Sequence, residues 1–163
     1  VQIEQALQGA YPHSYRDRDE NKEYVYFEGD EKSLTWVSTV SPARRNGLTA
    51  WHLKRDGDSR GLEMLVTPAY ADNPEKRLEK AEALELFEDY RATFEYLDIN
   101  KREYGDGFGE SEWLEEWSGK EHQSLPYAVR LKLEPRDKEQ PAMEVIALIL
   151  ANEHHRLPRK QVR

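Results

Sequence analysis

Tyr127-Ala128-Val129-Arg130-Leu131-Lys132-Leu133 is the stretch that decides the fold class, because apolar and basic side chains alternate along it. Successive side chains of a β-strand point to opposite faces, so this pattern places one face against a core and the other towards solvent. Half-polar strands of this kind are typical of antiparallel sheets. The segment therefore predicts an antiparallel β domain.

The neighbouring hydrophobic segments extend this prediction. Residues 143–150 are apolar enough to lie centrally in a sheet. Further upstream, four segments rich in aromatic and β-branched residues predict strands over residues 22–27, 33–40, 48–54 and 61–67. Asp56-Gly57 between the last two segments is a hairpin signal. The four segments together predict an antiparallel meander.

The middle of the chain carries mixed signals. Asn73 is a candidate helix cap with Pro74 at the first helical position, which predicts a short helical or loop approach. Residues 83–87 and 93–97 then suit two strands. Trp113 and Trp117, four residues apart, are predicted to share one face of a helical turn and to pack inward.

The chain opens with a short apolar pattern. Ile3 and Leu7 lie four residues apart and share a helix face, with no initiator Met and no intact signal peptide before them. The pattern predicts the last turns of a helix that begins outside this sequence, and a short amphipathic N-terminal helix is the alternative. The predicted fold class is therefore α+β, a truncated N-terminal helix packed on an antiparallel β-rich head domain.

Length and composition bound the organisation. The 163 residues suit a single domain, predicted as helix end and linker over 1–20, β-rich head over 21–152 and basic tail over 153–163. The net charge is −8, and half of the acidic residues fall between positions 72 and 121. Such a charge distribution, with no basic stripe interleaved with aromatics, argues against nucleic-acid binding. The absence of cysteine excludes disulfides and thiolate metal sites.

The acidic loop that starts at Asp98 begins like a calcium-binding loop and then departs from it. Arg102, Glu103 and Gly109 occupy positions where that pattern needs a ligand, a glycine and a glutamate. A solvated loop is the preferred interpretation, and an irregular calcium site using Asp98, Asp106 or Glu110 stays open.

The histidines give no metal-binding pattern. His154 and His155 would point to opposite faces of a strand, and no spacing to His13, His52 or His122 supplies a partner. We therefore expect no metal site among them.

The sequence also lacks the patterns of an enzyme. Glu112, Glu115 and Glu116 beside two tryptophans are reminiscent of a glycosidase cleft, but any acidic surface offers such pairs. No serine lies in a Gly-x-Ser-x-Gly elbow, and acidic residues interrupt the glycines of residues 105–109. We expect neither catalysis nor a cofactor.

The order of several motifs resembles a known family. Phe27, Gly29, Leu34 and Trp36 follow an F-x-G-x(4)-L-x-F pattern, with Trp36 in place of the last Phe. An aromatic-Tyr-Leu-Asp strand (residues 94–98), a W-x(3)-W pair and an L-P-x-A-V-R-L strand (residues 125–131) come later. This order, across residues 24–150, resembles minor pseudopilins of the J class of type II secretion systems.

The resemblance implies a long N-terminal helix, membrane-embedded before assembly, and a periplasmic head anchored at the bacterial inner membrane. It implies assembly with I-type and K-type pseudopilins at the tip of a pseudopilus. The residues that we expect to contact these partners are Ile3, Leu7 and Tyr11. The leader and the glutamate of the family's mature N-terminus would precede Val1, and residues 99–112 and the tail from His154 fall outside the family pattern.

Two alternatives stay open. One is a periplasmic or secreted carbohydrate-binding β module with Trp113, Trp117 and Tyr104 as a stacking platform, which predicts exposed indoles. The other is a minor pilin of a type IV pilus, which differs in the machinery that it joins.

Overall fold

The computed structural model describes residues 2–43, 46–56, 60–70, 72–99 and 111–151. Within these ranges the helices are α1 (Gln2–Gln8), α2 (Glu75–Glu79) and α3 (Gly119–His122). The strands are β1 (Ser14–Asp17), β2 (Lys22–Val25), β3 (Phe27–Gly29), β4 (Ser33–Ser38), β5 (Thr49–Lys54), β6 (Leu62–Pro68), β7 (Leu84–Leu86), β8 (Tyr90–Ile99), β9 (Ser111–Leu114), β10 (Trp117–Ser118), β11 (Ala128–Pro135) and β12 (Met143–Leu148).

The predicted α+β class, with a pilin-like N-terminal helix packed on a head, is wrong. Of the described residues, 48% lie in strands and 13% in helices, so this part of the chain is mostly β, and no long N-terminal helix lies on a head within it. Helix α1 is short, and its apolar face belongs to the core of the β structure, where Ile3, Ala6 and Leu7 are buried. The indole Nε1 of Trp36 donates a hydrogen bond to the Ala6 carbonyl at 3.0 Å, which fixes the helix to β4.

A six-stranded antiparallel sheet has the order β10-β3-β4-β5-β6-β7. Its central four strands follow one another along the chain, which confirms the predicted meander. The strand predicted over residues 22–27 is divided at Tyr26: β2 pairs with β1 in a separate hairpin, whereas β3 joins the large sheet. The Asp56-Gly57 turn falls partly outside the described residues, but the strands that flank it are antiparallel neighbours.

A four-stranded antiparallel sheet has the order β12-β11-β8-β9. The alternation that predicted β11 is confirmed, since Val129 and Leu131 are buried whereas Arg130 and Lys132 lie on the outer face. The central position predicted for residues 143–150 is wrong because β12 is an edge strand. Its inner residue Ala147 is buried, but Ile146 and Leu148 are exposed.

The core is divided by the six-stranded sheet. On one face, apolar residues of both sheets and α1 form the larger cluster, in which Trp36 and Trp51 stack with ring centroids 5.6 Å apart. On the other face, the β1–β2 hairpin and α2 cover a smaller cluster that contains Tyr15, Tyr26 and Leu78. The helix predicted near Asn73 exists as α2, but it begins at Glu75 with Pro74 at the N-cap position, one residue later than predicted. The Asn73 side-chain oxygen accepts a hydrogen bond from the Glu75 N–H at 3.0 Å.

Within the described ranges, no helix combines the length and the apolar composition that crossing a membrane requires.

Candidate functional site

Gly29, at the end of β3, is the point where distant sequence motifs meet. The Tyr96 hydroxyl donates hydrogen bonds to the carbonyls of Asp30 at 2.8 Å and Ser33 at 3.2 Å, which ties β8 to the β3–β4 turn. The Tyr96 ring lies edge-on to Phe27 with centroids 5.9 Å apart. A Cβ atom at position 29 would lie 2.8 Å from Cε1 of Tyr96 and closer still to its Cζ and Oη. This close approach explains why a glycine stands there.

The second half of the chain reaches the same point through β10. Trp117 is paired with Gly29 across the β10–β3 ladder and is only 3% exposed. Its indole Nε1 donates to the Ser124 carbonyl at 2.9 Å, and the His122 ring stacks on it with centroids 3.6 Å apart. We call the contact of Phe27, Gly29, Tyr96 and Trp117 the motif junction. Each motif is recognisable separately in the sequence, but no signal in the sequence indicates that they touch.

Trp113 does not share a helical turn with Trp117, so that prediction is wrong. Trp113 lies in β9 of the four-stranded sheet, whereas Trp117 lies in β10 of the six-stranded sheet. The chain between them leaves one sheet and joins the other, which is why a spacing of four residues here does not indicate a helix. The Trp113 ring is partly buried, and the Arg130 guanidinium lies 4.1 Å from its centroid.

Arg130 also organises an ion-pair network on the outer face of the four-stranded sheet. Its guanidinium donates to both carboxylate oxygens of Glu95, at 3.2 and 3.0 Å, and lies 3.6 Å from Glu144. Lys132 approaches Glu95 to 2.7 Å. These hydrogen bonds from Arg130 and Lys132 lower the pKa of Glu95 below its ordinary value.

An open groove of about 1240 Å³ runs beside the motif junction, between the β3–β4 turn and the segment that joins β9 to β10. We call it the acidic groove because most of its charged lining is carboxylate, namely Glu28, Asp30, Glu31, Glu112, Glu115, Glu116 and Glu121. Lys32 and His122 also line it. Such a concentration of negative charge attracts basic groups.

Two carboxyl groups of the acidic groove have perturbed pKa values. Repulsion from the Glu31 carboxylate, with which Glu115 shares a hydrogen bond, raises the pKa of Glu115. Burial raises the pKa of Glu28, although Ser118 Oγ opposes this by donating to Glu28 Oε1 at 3.0 Å. A cation next to either carboxyl group therefore stabilises its ionised form.

A second groove, of about 790 Å³, lies between the β1–β2 hairpin, α2 and the six-stranded sheet. His52 lines it, and its Nδ1 shares a hydrogen bond of 2.5 Å with Thr35 Oγ1. Burial, aided by Lys54, lowers the pKa of His52. Burial and the nearby Glu28 carboxylate raise the pKa of Tyr15, also in this groove, to about 12. Both side chains are thus held neutral near pH 7.

The three residues that we expect to contact partners differ in how exposed their side chains are. Ile3 and Leu7 are packed inside the core of this chain, whereas Tyr11, just after α1, is 45% exposed. The Tyr11 N–H donates to the Val37 carbonyl at 2.8 Å, so its position is fixed by β4. Tyr11 is therefore the side chain of the three that is available to a partner.

The remaining candidate residues are dispersed. Glu112, Glu115 and Glu116 line the acidic groove, His13 Nε2 shares a hydrogen bond of 3.2 Å with the Asp72 carbonyl, and Asp98 lies in β8. Tyr104, Asp106, Glu110, His154 and His155 lie outside the described residues. Among the residues that are described, no group of three or more histidine or carboxylate side chains is arranged to hold a metal ion.

Comparison with known proteins adds no assignment, because the chain matches no protein-family model and no curated protein sequence.

Proposed function

We propose that this protein is a structural, non-enzymatic subunit of a type II secretion pseudopilus, a minor pseudopilin of the J class that assembles with I-type and K-type partners. In this proposal the β-rich chain is the periplasmic part of a protein of the inner membrane. The proposed activity is assembly, so it depends on contact surfaces for other proteins rather than on catalytic residues.

The observation that carries the proposal is the motif junction. Three of the segments on which the family resemblance rests lie in β3, β8 and β10, and the Tyr96 hydroxyl spans 66 residues of sequence to reach Asp30. Gly29 is required because Tyr96 packs on it, and Trp117 pairs with it. Motifs that depend on one another in space are less readily produced by chance than motifs that are independent. This dependence supports reading them as a single family pattern.

Trp113 and Trp117 both line the acidic groove, but the contacts of their rings do not favour a carbohydrate-binding module. A stacking platform needs open aromatic faces. Trp117 is buried under His122, and the Arg130 guanidinium covers Trp113. The assembly proposal is therefore the one that we carry forward.

Partner recognition in this proposal uses Tyr11 and the acidic groove. Tyr11 offers a large amphipathic side chain of the kind that is enriched at interface hot spots. The acidic groove supplies a charged surface that steers a partner carrying basic residues. Ile3 and Leu7 serve indirectly by holding α1, and hence Tyr11, against the sheet.

The test is binding to the I-type head domain, measured by size-exclusion chromatography and calorimetry with and without the K-type subunit. We expect a stable complex, weakened about tenfold by Tyr11→Ala because a tyrosine anchor contributes on the order of 1 to 2 kcal/mol. Tyr70→Ala is the matched control, since Tyr70 is also exposed and lies in a different part of the chain.

The proposal fails if the wild-type chain elutes separately from both partners at high concentration. If a complex forms but Tyr70→Ala weakens it as much as Tyr11→Ala does, assembly stands and the assigned surface is wrong.

A further inference from the structure

Two tyrosines line the second groove, and neither hydroxyl has a hydrogen-bond partner among the described residues. These side chains, Tyr15 and Tyr26, are only 8% and 6% exposed. Their rings meet edge-on with centroids 5.6 Å apart, in the smaller core cluster. Polar groups on side chains buried this deeply normally have partners, because losing water without a replacement is costly. The pair therefore points to a ligand that supplies the missing hydrogen bonds.

A carboxylate and a neutral imidazole belong to the same groove. The Glu75 carboxylate, at the start of α2, adds to the effect of burial in raising the pKa values of Tyr15 and Tyr26. It also opposes the effect of burial on the pKa of His52, so it lies close to all three groups. His52 pairs with Thr35 across the sheet and stays neutral near pH 7. A neutral imidazole does not repel a cation.

The charges of the groove decide which class of ligand it attracts. The lining contains two lysines, and Lys54 is held in an ion pair with Nζ 3.4 Å from Glu63 Oε2. The other, Lys120, places its ammonium over the ring of Tyr24. Carboxylates outnumber these lysines, so the groove disfavours an anion and favours a cation. The carboxylates that line it are Asp17, Glu28, Glu63, Glu75 and Glu79.

The walls of the groove favour a cation on an alkyl chain over a bare metal ion. Leu65 and Leu78 supply apolar surface beside the polar groups, and the volume of about 790 Å³ suits a small organic group. Among the residues that the structure describes, no histidine and carboxylate cluster is arranged for a metal. An ammonium carries three N–H donors and no acceptor, which matches two phenol oxygens and one carboxylate.

We propose that the second groove binds a primary alkyl ammonium group, whose three N–H donors are accepted by Tyr15, Tyr26 and Glu75. The alkyl chain lies against Leu65 and Leu78. We call this arrangement the amine site. Its ligand is either the side chain of a lysine in another protein or a free alkylamine, because both present the same chemistry.

The test is a titration of the purified chain near neutral pH, followed by NMR shifts of the amide and His52 ring signals and by calorimetry. The probes are n-pentylamine and Nα-acetyl-lysine amide, each with an expected dissociation constant of about 1 mM. Tighter binding of the capped lysine assigns the site to a protein side chain, and tighter binding of pentylamine assigns it to a free amine. Pentanol and the Nε-acetylated lysine amide, which lack the charge, should bind at least about tenfold more weakly.

Substitutions identify the groups that accept the ammonium. Tyr15→Phe and Tyr26→Phe keep the rings and remove the hydroxyls, and Glu75→Gln removes the charge. Each should raise the dissociation constant about tenfold, because a hydrogen bond to a charged group is lost. The two tyrosine variants should unfold at the same temperature as the wild type, since neither hydroxyl has a partner in the described chain. Tyr24→Phe is the matched control: Tyr24 lies in the same hairpin, but its hydroxyl donates to Glu20.

Three results would overturn the inference. These are no saturable binding of either amine up to about 20 mM, pentanol that binds as tightly as pentylamine, and a folded Tyr15→Phe/Tyr26→Phe double variant that binds like the wild type or like Tyr24→Phe. The amine site does not rest on the proposed function. A chain that binds the I-type head but no amine would overturn the amine site alone.

Discussion

The substitution Gly29→Ala tests the motif junction most directly. The added Cβ lies 2.8 Å from Cε1 of Tyr96 and closer to Cζ and Oη, and the Tyr96 ring is fully buried and tethered by its hydroxyl. Overpacking of a core costs about 1 to 3 kcal/mol. Displacing Tyr96 also strains its hydrogen bonds, at about 1 kcal/mol. We therefore expect the free energy of unfolding to fall by about 2 to 4 kcal/mol in urea denaturation.

A double-mutant cycle isolates the cause. Tyr96→Leu removes the Cε1, Cζ and Oη atoms that meet the new Cβ, so Gly29→Ala should cost less than about 1 kcal/mol in that background. Gly119→Ala is the control, because its Cβ would meet the main-chain carbonyl of Val25 rather than Tyr96. Its cost should be the same in both backgrounds to within about 0.5 kcal/mol. If Gly29→Ala costs equally with and without Tyr96, the ring is not what requires the glycine, and the reasoning is refuted.

Two further predictions concern His52 and Arg130. Burial lowers the pKa of His52, so its contribution to stability is complete above the unfolded-state pKa of about 6.5 and is lost as pH falls through the folded-state value. Urea unfolding at about pH 7.5 and pH 5.5 should show a smaller loss of stability for His52→Gln than for the wild type, and an unchanged loss would contradict the assignment. Arg130→Met should destabilise by about 2 kcal/mol and make Trp113 fluorescence easier to quench with acrylamide, because the guanidinium covers that ring. Lys132→Met, which removes an exposed partner of Glu95, should cost under about 1 kcal/mol and leave quenching unchanged, so equal effects of the two variants would count against the role of Arg130.

The strands that the sequence predicts correctly are those with a strong local pattern. Apolar residues stand at three alternate positions in β6 and β11 (Leu62, Met64, Val66; Val129, Leu131, Leu133) and at two in β4 and β5 (Leu34, Trp36; Trp51, Leu53), and this period follows directly from strand geometry. The antiparallel meander of β3, β4, β5 and β6 is also a local property, because each strand pairs with the next one along the chain.

The errors arise where tertiary neighbours decide the outcome. The apolar residues of β12 indicate burial, but no local pattern shows whether a strand has one neighbouring strand or two. The four-residue spacing of Trp113 and Trp117 fits a helical turn as well as it fits a chain that passes from one sheet to the other. The apolar residues of α1 correctly predict a helix. They do not indicate that this helix is short and packs into the core formed by the two sheets. The acidic groove was visible only as an excess of carboxylates, since the β3–β4 turn and the β9–β10 segment are remote in sequence.

The pairing of β10 with β3 joins two segments that are far apart in the sequence. Ser118 Oγ and Glu28 Oε1, 90 residues apart, meet beside this pairing. A contact across so long a loop forms late, because the chain entropy of closing the loop is lost before the contact stabilises anything. During synthesis Gly29 therefore stays uncovered until the second half of the chain emerges. The β10 edge of the larger sheet is completed only after the other five strands of that sheet, and the nascent chain is open to misassembly during that interval.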